Sequence, residues 1–336
     1  MKKDDLIIIN KLLNKIDLDS NESKSLIKNI LENNFNEIQT GIILTLLNIK
    51  KESLSEIYSF VEYLRSVSLK LKLKGDLMDT CGTGGDNKNS FNFSTATSIL
   101  LSTFEINIAK HGNRSVTSKS GSFDVLESLG IKITSNIKYL ENYYKKHNIC
   151  FLYAPFFHSS LKTVANVRKS IPFKTIFNLL GPLLNPVKLK YQLLGVSKKE
   201  SLSTHAACLK KMGLKKGWVV FNENGYDELT TTSKNYYIEV SKNKIWSKQI
   251  LDPEKLGFKK RKDKDLQGGT PEENAFLMRR LFEGETGAIR DNVLLNTAAA
   301  LVICEKAESL KEGIKKAEEN IDSGLAKKKL NQLISF

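Results

Sequence analysis

Four short segments of the 336-residue chain carry side chains whose types and spacing suit the handling of a polyanion. The first is Asp79-Thr80-Cys81-Gly82-Thr83-Gly84-Gly85-Asp86, followed by Ser90-Phe91-Asn92-Phe93-Ser94-Thr95. Its glycines let backbone N–H groups approach an anion closely, and the hydroxyls and amide lead into a helix N-terminus. It lacks the Gly-Lys-Ser/Thr ending of a nucleotide P-loop and is no dinucleotide fingerprint. The second runs from Lys110-His111-Gly112-Asn113-Arg114-Ser115-Val116-Thr117-Ser118 to Ser122. Two cations, several hydroxyls and two glycines there suit a phosphate cradle. The third holds Arg168 and the turn Asn178–Pro186; a planar guanidinium grips a carboxylate in bidentate fashion. The fourth is Gly225-Tyr226-Asp227-Glu228-Leu229, adjacent carboxylates that suit a hard divalent cation such as Mg²⁺. Taken singly, each has a plainer reading: a β–α turn, a packed loop histidine, a surface ion pair, a solvated turn.

The elements that must position these segments follow from periodicity. Residues 1–70 read as all-helical, with apolar Leu26, Ile27, Ile30 and Leu31 at helical spacing. Ser53-Leu54-Ser55-Glu56 fits a capping box. Beyond Gly75, a plausible hinge, short apolar runs alternate with helical segments: Leu77–Thr80, Ile106–Lys110, Ile149–Ala154, Leu193–Val196 and Trp218–Phe221. That alternation predicts βα units and a largely parallel sheet, hence an α/β fold class. Tyr236–Val240 and Lys244–Ile250 read as a further strand pair. Helices are expected over Ser94–Phe104, from Ser122 onward, and after Thr270-Pro271-Glu272-Glu273, where proline takes the first helical position. The stretch from Asn292 to Phe336 is helical, with Gly324 as a break.

Composition bounds the alternatives. Four cysteines without CxxC spacing read as reduced, buried hydrophobes rather than a disulfide framework. No apolar run is long enough to span a bilayer, and the charged start reads as no signal peptide, so a cytoplasmic location is expected. The net charge is +15, but 45 of the 52 basic residues are lysine, spread along the chain. Nucleic-acid contacts recruit arginine for its fork, so a solvated lysine surface, including the cluster Lys259–Lys264, is the preferred reading.

Together, Gly82–Asp86, Lys110–Arg114 and Asn178–Pro186 resemble the anthranilate phosphoribosyltransferase family, and the resemblance runs nearly end to end. It implies a homodimer with a small helical domain, 1–70 plus about 164–186, and a larger α/β domain, 75–163 and 187–336. It implies transfer of the phosphoribosyl group of phosphoribosyl pyrophosphate (PRPP) to anthranilate, a step of tryptophan biosynthesis, with Mg²⁺ as cofactor. PRPP is then expected on Gly82, Gly85, Asp86, Ser90, Asn92, Phe93, Ser94, Thr95, the loop Lys110 to Ser118 (Lys110, His111, Gly112, Asn113, Arg114, Ser115, Val116, Thr117, Ser118) and Ser122. Anthranilate is expected between the domains on Gly82, Asn113 and Arg168. The metal is expected on Ser94, Asp227 and Glu228. No general base is implied; positioning and Mg²⁺ carry the displacement. Two departures stand out: lysine at 174, where arginine is common, and Phe123, where a small residue is common. A pyrimidine nucleoside phosphorylase is a poorer match, because its glycine loop ends in lysine. A nucleic-acid-binding relative would have no use for the Asp227-Glu228 pair.

Overall fold

The computed structural model describes residues 3–115 and 119–336, and the chain divides into two compact units. The first unit comprises Met1–Lys70 and Pro155–Pro186. Its helices are α1 (Lys3–Leu13), α2 (Ser20–Leu31), α3 (Glu37–Lys50) and α4 (Leu54–Ser66), joined by the short helices Ala165–Ser170 and Phe177–Leu180. Leu26, Ile27 and Ile30 of α2 pack with Phe60 and Leu64 of α4, all at most 1% exposed. The caps fix where these helices start. Asp19, Asn36 and Ser53 each close a capping box, satisfying N–H groups that the helix leaves without partners. Glu56 also works beyond its box. Fully buried, it accepts from Ser53 N (2.8 Å) and Leu18 N (2.9 Å) and pairs with the Lys50 ammonium at 2.9 Å.

The second unit, Leu71–Ala154 and Val187–Phe336, is built on one seven-stranded sheet. In chain order the strands are β1 (Leu77–Asp79), β2 (Asn107–Gly112), β3 (Ile149–Tyr153), β4 (Tyr191–Gly195), β5 (Lys216–Asn222), β6 (Asn235–Ser241) and β7 (Gln249–Leu251). Their spatial order is β3-β2-β1-β4-β5-β6-β7. The first five are parallel, and β6 and β7 add antiparallel pairs at one edge. The buried strands are near-continuous apolar runs, as a sheet covered on both faces requires. The order reverses at β1, so loops leaving β1 and β4 diverge and open a crevice at their carboxyl ends. Helices α5 (Phe93–Leu101) and α6 (Ser122–Ser128) follow β1 and β2 and aim their N-termini at that end.

Two expectations shift. The helix read over Ser94–Phe104 begins at Phe93 and ends at Leu101, where a 3₁₀ turn carries the chain to Glu105 at φ 59°. The strand read over Lys244–Ile250 shrinks to Gln249–Leu251, with only a bridge from Ile245 to Val240 before it. It is the sheet edge, and a short edge strand resists further pairing. Thr270 caps its helix through a full capping box, Gly324 breaks the C-terminal helices at φ 77°, and all four cysteines are free and buried. Among the described residues no helix is long and apolar enough to cross a membrane.

Candidate active site

The site of the α/β unit is assembled from loops leaving the carboxyl ends of β1, β2, β4 and β5. The glycine loop leaves β1 and folds over the turn that follows β5. Asp227 Oδ2 accepts the Gly84 N–H at 2.6 Å, and Glu228 Oε1 accepts the Ser94 N–H at 3.1 Å. Asp227 can come so close only because two residues lack side chains. A Cβ on Gly82 would lie 2.4 Å from Asp227 Oδ2, and one on Gly195 would lie 1.4 Å from the Asp227 carbonyl oxygen. Gly195 was missed at the level of sequence. The available signal was an isolated glycine at the end of an apolar strand, which marks a close backbone approach. Gly84 and Gly85 both take left-handed φ, 65° and 67°, and turn the loop back toward Asp86.

Phe91 and Phe93 alternate with the polar residues and anchor them. Both rings are at most 1% exposed and meet edge to face, 5.3 Å apart. Phe93 also spends its N–H on the Phe91 carbonyl (2.8 Å), which helps hold the loop. Between and after them, Asn92 Oδ1 and Thr95 Oγ1 are buried without a hydrogen-bond partner. Asn92 leaves the N-terminus of α5 uncapped by its own side chain. Unsatisfied buried polar atoms at the start of a helix are what a polar ligand would complete. Ser90 and Gly85 lie half-buried along the same loop.

On β2, Lys110 is 1% exposed, with its ammonium on the His111 carbonyl at 3.1 Å. His111 is buried, and its N–H together with that of Thr80 is accepted by Asp79 Oδ1 (3.3 and 2.8 Å). Asp79, Cys81 and His111 lie within 4.8 Å of one another. Asp79 braces the two donor loops from beneath, and burial pushes the Cys81 thiol up to about 12, keeping it protonated. Asn113 is exposed and receives the Phe123 N–H on its carbonyl at 3.4 Å. Arg114 pairs with Glu127 at 2.7 Å. Asp124 Oδ2 gathers the N–H groups of Ser115 (2.9 Å) and Gly121 (2.8 Å), closing the loop in front of Ser122. Gly112 lies against the Phe123 ring, where a Cβ would fall 3.2 Å from Cε2. The large residue at 123 is thus seated in the space that glycine leaves. Val116, Thr117 and Ser118 lie outside the described residues.

Three carboxyl groups, Asp86, Asp227 and Glu228, meet, with Lys88 acting on Asp86 and Lys110 on Glu228 too weakly to offset their burial. Burial, then Asp86, push Asp227 up to about 7. Burial, then Asp227 and Asp86, raise Glu228 well above the usual carboxylate range. Glu228 Oε2 is buried without a hydrogen-bond partner among the described residues. A desolvated oxygen cluster of this kind fits a hard divalent cation, with Ser94 on the adjacent first turn of α5. A pH dependence follows. Between the ordinary carboxylate value of 3.8 and about 7, the folded chain holds the Asp227 proton that the unfolded chain releases. Metal-free stability therefore falls as pH rises through that window. Calorimetry with and without Mg²⁺ should show a metal-induced rise in Tm that is larger at pH 8 than at pH 6, because at the lower pH the metal must displace the proton.

Arg168 belongs to the helical unit. Its guanidinium stacks over the Phe177 ring at 5.3 Å, and burial lowers its affinity for its own proton. Among the described residues no carboxylate pairs with it. A partly desolvated guanidinium without an acidic partner fits an external carboxylate. The nearby Lys174 offers its carbonyl to the Asn48 side chain at 2.7 Å.

Residues 74–327 match the "Glycosyl transferase family, a/b domain" model and residues 7–68 the "Glycosyl transferase family, helical bundle domain" model. The anthranilate phosphoribosyltransferase of Petrotoga mobilis is 41% identical over 98% of this chain and 95% of its own. The crystal structure of the Thermus thermophilus anthranilate phosphoribosyltransferase superposes with a TM-score of 0.91 at 33% identity, covering 98% of both chains. The Saccharomyces cerevisiae anthranilate phosphoribosyltransferase in complex with PRPP and Mg superposes at 0.89 and 28% identity, covering 98% of this chain and 96% of that one. The chain belongs to the glycosyl transferase family that couples a helical bundle to an α/β domain. Its place within that family is among the anthranilate phosphoribosyltransferases.

Proposed function

We propose that the chain transfers the 5-phosphoribosyl group from PRPP to the amine of anthranilate, giving N-(5-phosphoribosyl)anthranilate and pyrophosphate in L-tryptophan biosynthesis. The observation that carries this reading is the pairing of the glycine loop with the Asp227-Glu228 turn. Gly84 N–H on Asp227 and Ser94 N–H on Glu228 place an anion cradle and a cation site side by side. A pyrophosphate donor needs both. Asp227, Glu228 and Ser94 would hold Mg²⁺, which when bound would offset the negative charge of the pyrophosphate leaving group.

The chain's own groups orient the donor. The glycine loop at Gly82, Gly85 and Asp86 and the side chains of Ser90, Asn92 and Thr95 hold its phosphates. The buried Lys110 and the loop to Ser118, with Ser122, supply further donors. Donors fixed before the reaction stabilise charge that develops on the leaving group without reorganising. Arg168 takes the anthranilate carboxylate, with Gly82 and Asn113 near the ring, so that the amine attacks the anomeric carbon opposite the leaving group. None of these residues is placed as a general base. A direct test follows pyrophosphate with a coupled assay. It should appear in step with the anthranilate consumed; release at the same rate without anthranilate would leave a PRPP hydrolase and remove the acceptor half.

The same reading has two copies pairing through the helical unit. Ile38, Ile42 and Ile49 share one face of α3 and are 75%, 50% and 57% exposed, with Leu6 and Leu13 of α1 at 47% and 58%. Soluble monomers rarely leave such apolar side chains grouped on one surface. Sedimentation of Ile38→Glu/Ile42→Glu should show a monomer where the parent sediments as a dimer; an unchanged dimer would move the interface elsewhere.

A further inference from the structure

The lysine-rich stretch Lys259–Lys264 reads from sequence as a solvated surface, yet one residue in it reaches the donor site. We infer that Asp263 is a positioning residue for the transfer: through Lys88 it straps the glycine loop onto the Asp227-Glu228 turn. Asp263 Oδ2 lies 3.0 Å from the Lys88 ammonium, and Oδ1 accepts the Asn224 side-chain amide at 3.1 Å. Burial, then the Asp263 charge, push the Tyr226 hydroxyl up. Lys88 in turn sits over the Tyr226 ring, 4.9 Å from its centroid, and Tyr226 is only 1% exposed. One carboxylate thus ties Lys88 of the glycine loop to Asn224 before the metal turn, with the Tyr226 ring under the Lys88 ammonium.

The strap continues on both sides. Lys88 N–H donates to Asp86 Oδ1 at 3.1 Å, and Asp86 stands close enough to Asp227 to help burial push that carboxyl up. Phe91 N–H donates to the Leu266 carbonyl and Gly268 N–H to the Asn89 carbonyl, both at 2.9 Å. The far end is anchored, because Arg261 grips Asp291 Oδ2 through Nε (2.8 Å) and Nη2 (2.6 Å). The loop needs such ties. Gly84, Gly85, Asn87 and Asn89 all take positive φ, and the stretch has no ladder of its own to hold that conformation. Asp263 is 44% exposed along its side chain and Lys88 24%, so the ion pair by itself contributes little to global stability. Its effect lies in pre-organising the loop: a site ordered before binding does not spend affinity on ordering itself.

The inference rests on the donor reading, and its test separates the two. In Asp263→Asn, amide exchange across residues 84–91 should quicken while the sheet strands keep their protection. The KM for PRPP should rise about fivefold to tenfold, with the KM for anthranilate within about twofold, as coupled neighbours show. Lys88→Met should match it, the double variant should be no worse than either single, and Lys88→Arg should stay near the parent. Unchanged exchange in Asp263→Asn overturns the strap, whether or not the chain turns PRPP over. Faster exchange with an unchanged PRPP KM overturns the positioning role. A lower PRPP KM in Asp263→Asn, with a large loss in Lys88→Met, would also overturn it, since Lys88 would then be a donor contact that Asp263 restrains. A parent chain that never consumes PRPP fails the donor reading alone.

Discussion

Glu228→Gln should lower kcat/KM for PRPP about 10²- to 10³-fold and abolish the Mg²⁺-induced rise in Tm, while the metal-free fold stays intact. The substitution is chosen for what it keeps. A glutamine oxygen still accepts the Ser94 N–H that Glu228 Oε1 takes at 3.1 Å, so the α5 N-terminus and the glycine loop stay in place. What it removes is one negative charge from a cluster in which burial, Asp227 and Asp86 already oppose ionisation. Without the metal, losing that charge costs nothing and relieves repulsion, so the metal-free Tm should hold or rise. With the metal, the oxygen that lacks a partner becomes a neutral amide group, and the charge that balances a departing pyrophosphate goes with it. Losing one preorganised electrostatic contact of this kind costs on the order of 10²- to 10³-fold in rate. An Mg²⁺ titration identical to that of the parent would remove Glu228 from the metal site.

The second large effect is expected at Arg168. Arg168→Ala should raise the KM for anthranilate about thirtyfold or more and leave the KM for PRPP within about twofold. Truncating one partner of a desolvated charge pair costs about 2–5 kcal/mol, and each 1.4 kcal/mol is a factor of ten. In the free protein the guanidinium has the Phe177 ring as its neighbour at 5.3 Å and no acidic partner among the described residues. Its removal should therefore cost stability about 0.5–2 kcal/mol, the range of a cation–π contact between its exposed and desolvated limits. Lysine should not restore binding, because a point charge lacks the planar fork that fits a carboxylate. Steady-state kinetics with each substrate varied in turn decides this. A rise in the PRPP KM alone would assign Arg168 to the donor instead.

What the sequence disclosed and what it concealed divide along the chain-separation of the contacts. Local chemistry was legible. The capping boxes at Ser53 and Thr270, the helix beginning at Ser122 and the glycine turn all depend on neighbours a few residues apart. The alternation of short apolar runs with helices was enough for the parallel sheet. The order in which those strands lie beside one another was not. That order brings Gly84 to Asp227 across 143 residues and Lys88 to Asp263 across 175. Asp227 and Glu228 could be read as metal ligands because two adjacent acids on a loop form a local pattern. The third acid of the cluster, Asp86, could be read only as part of the donor loop. Phe93 was legible as a member of the donor run but not as its anchor, since only packing against Phe91 shows where its ring goes. Asp263 was hidden by its company: in a run of lysines, one aspartate looks like solvated surface, and only the fold shows which lysine it holds.

The central claim joins a donor to an acceptor, and anthranilate's own fluorescence reads both at once. With the purified chain, fluorescence should decay only when PRPP and Mg²⁺ are both present, and EDTA added midway should stop the decay. Fluorescence that stays constant at every PRPP concentration with Mg²⁺ present would contradict the account.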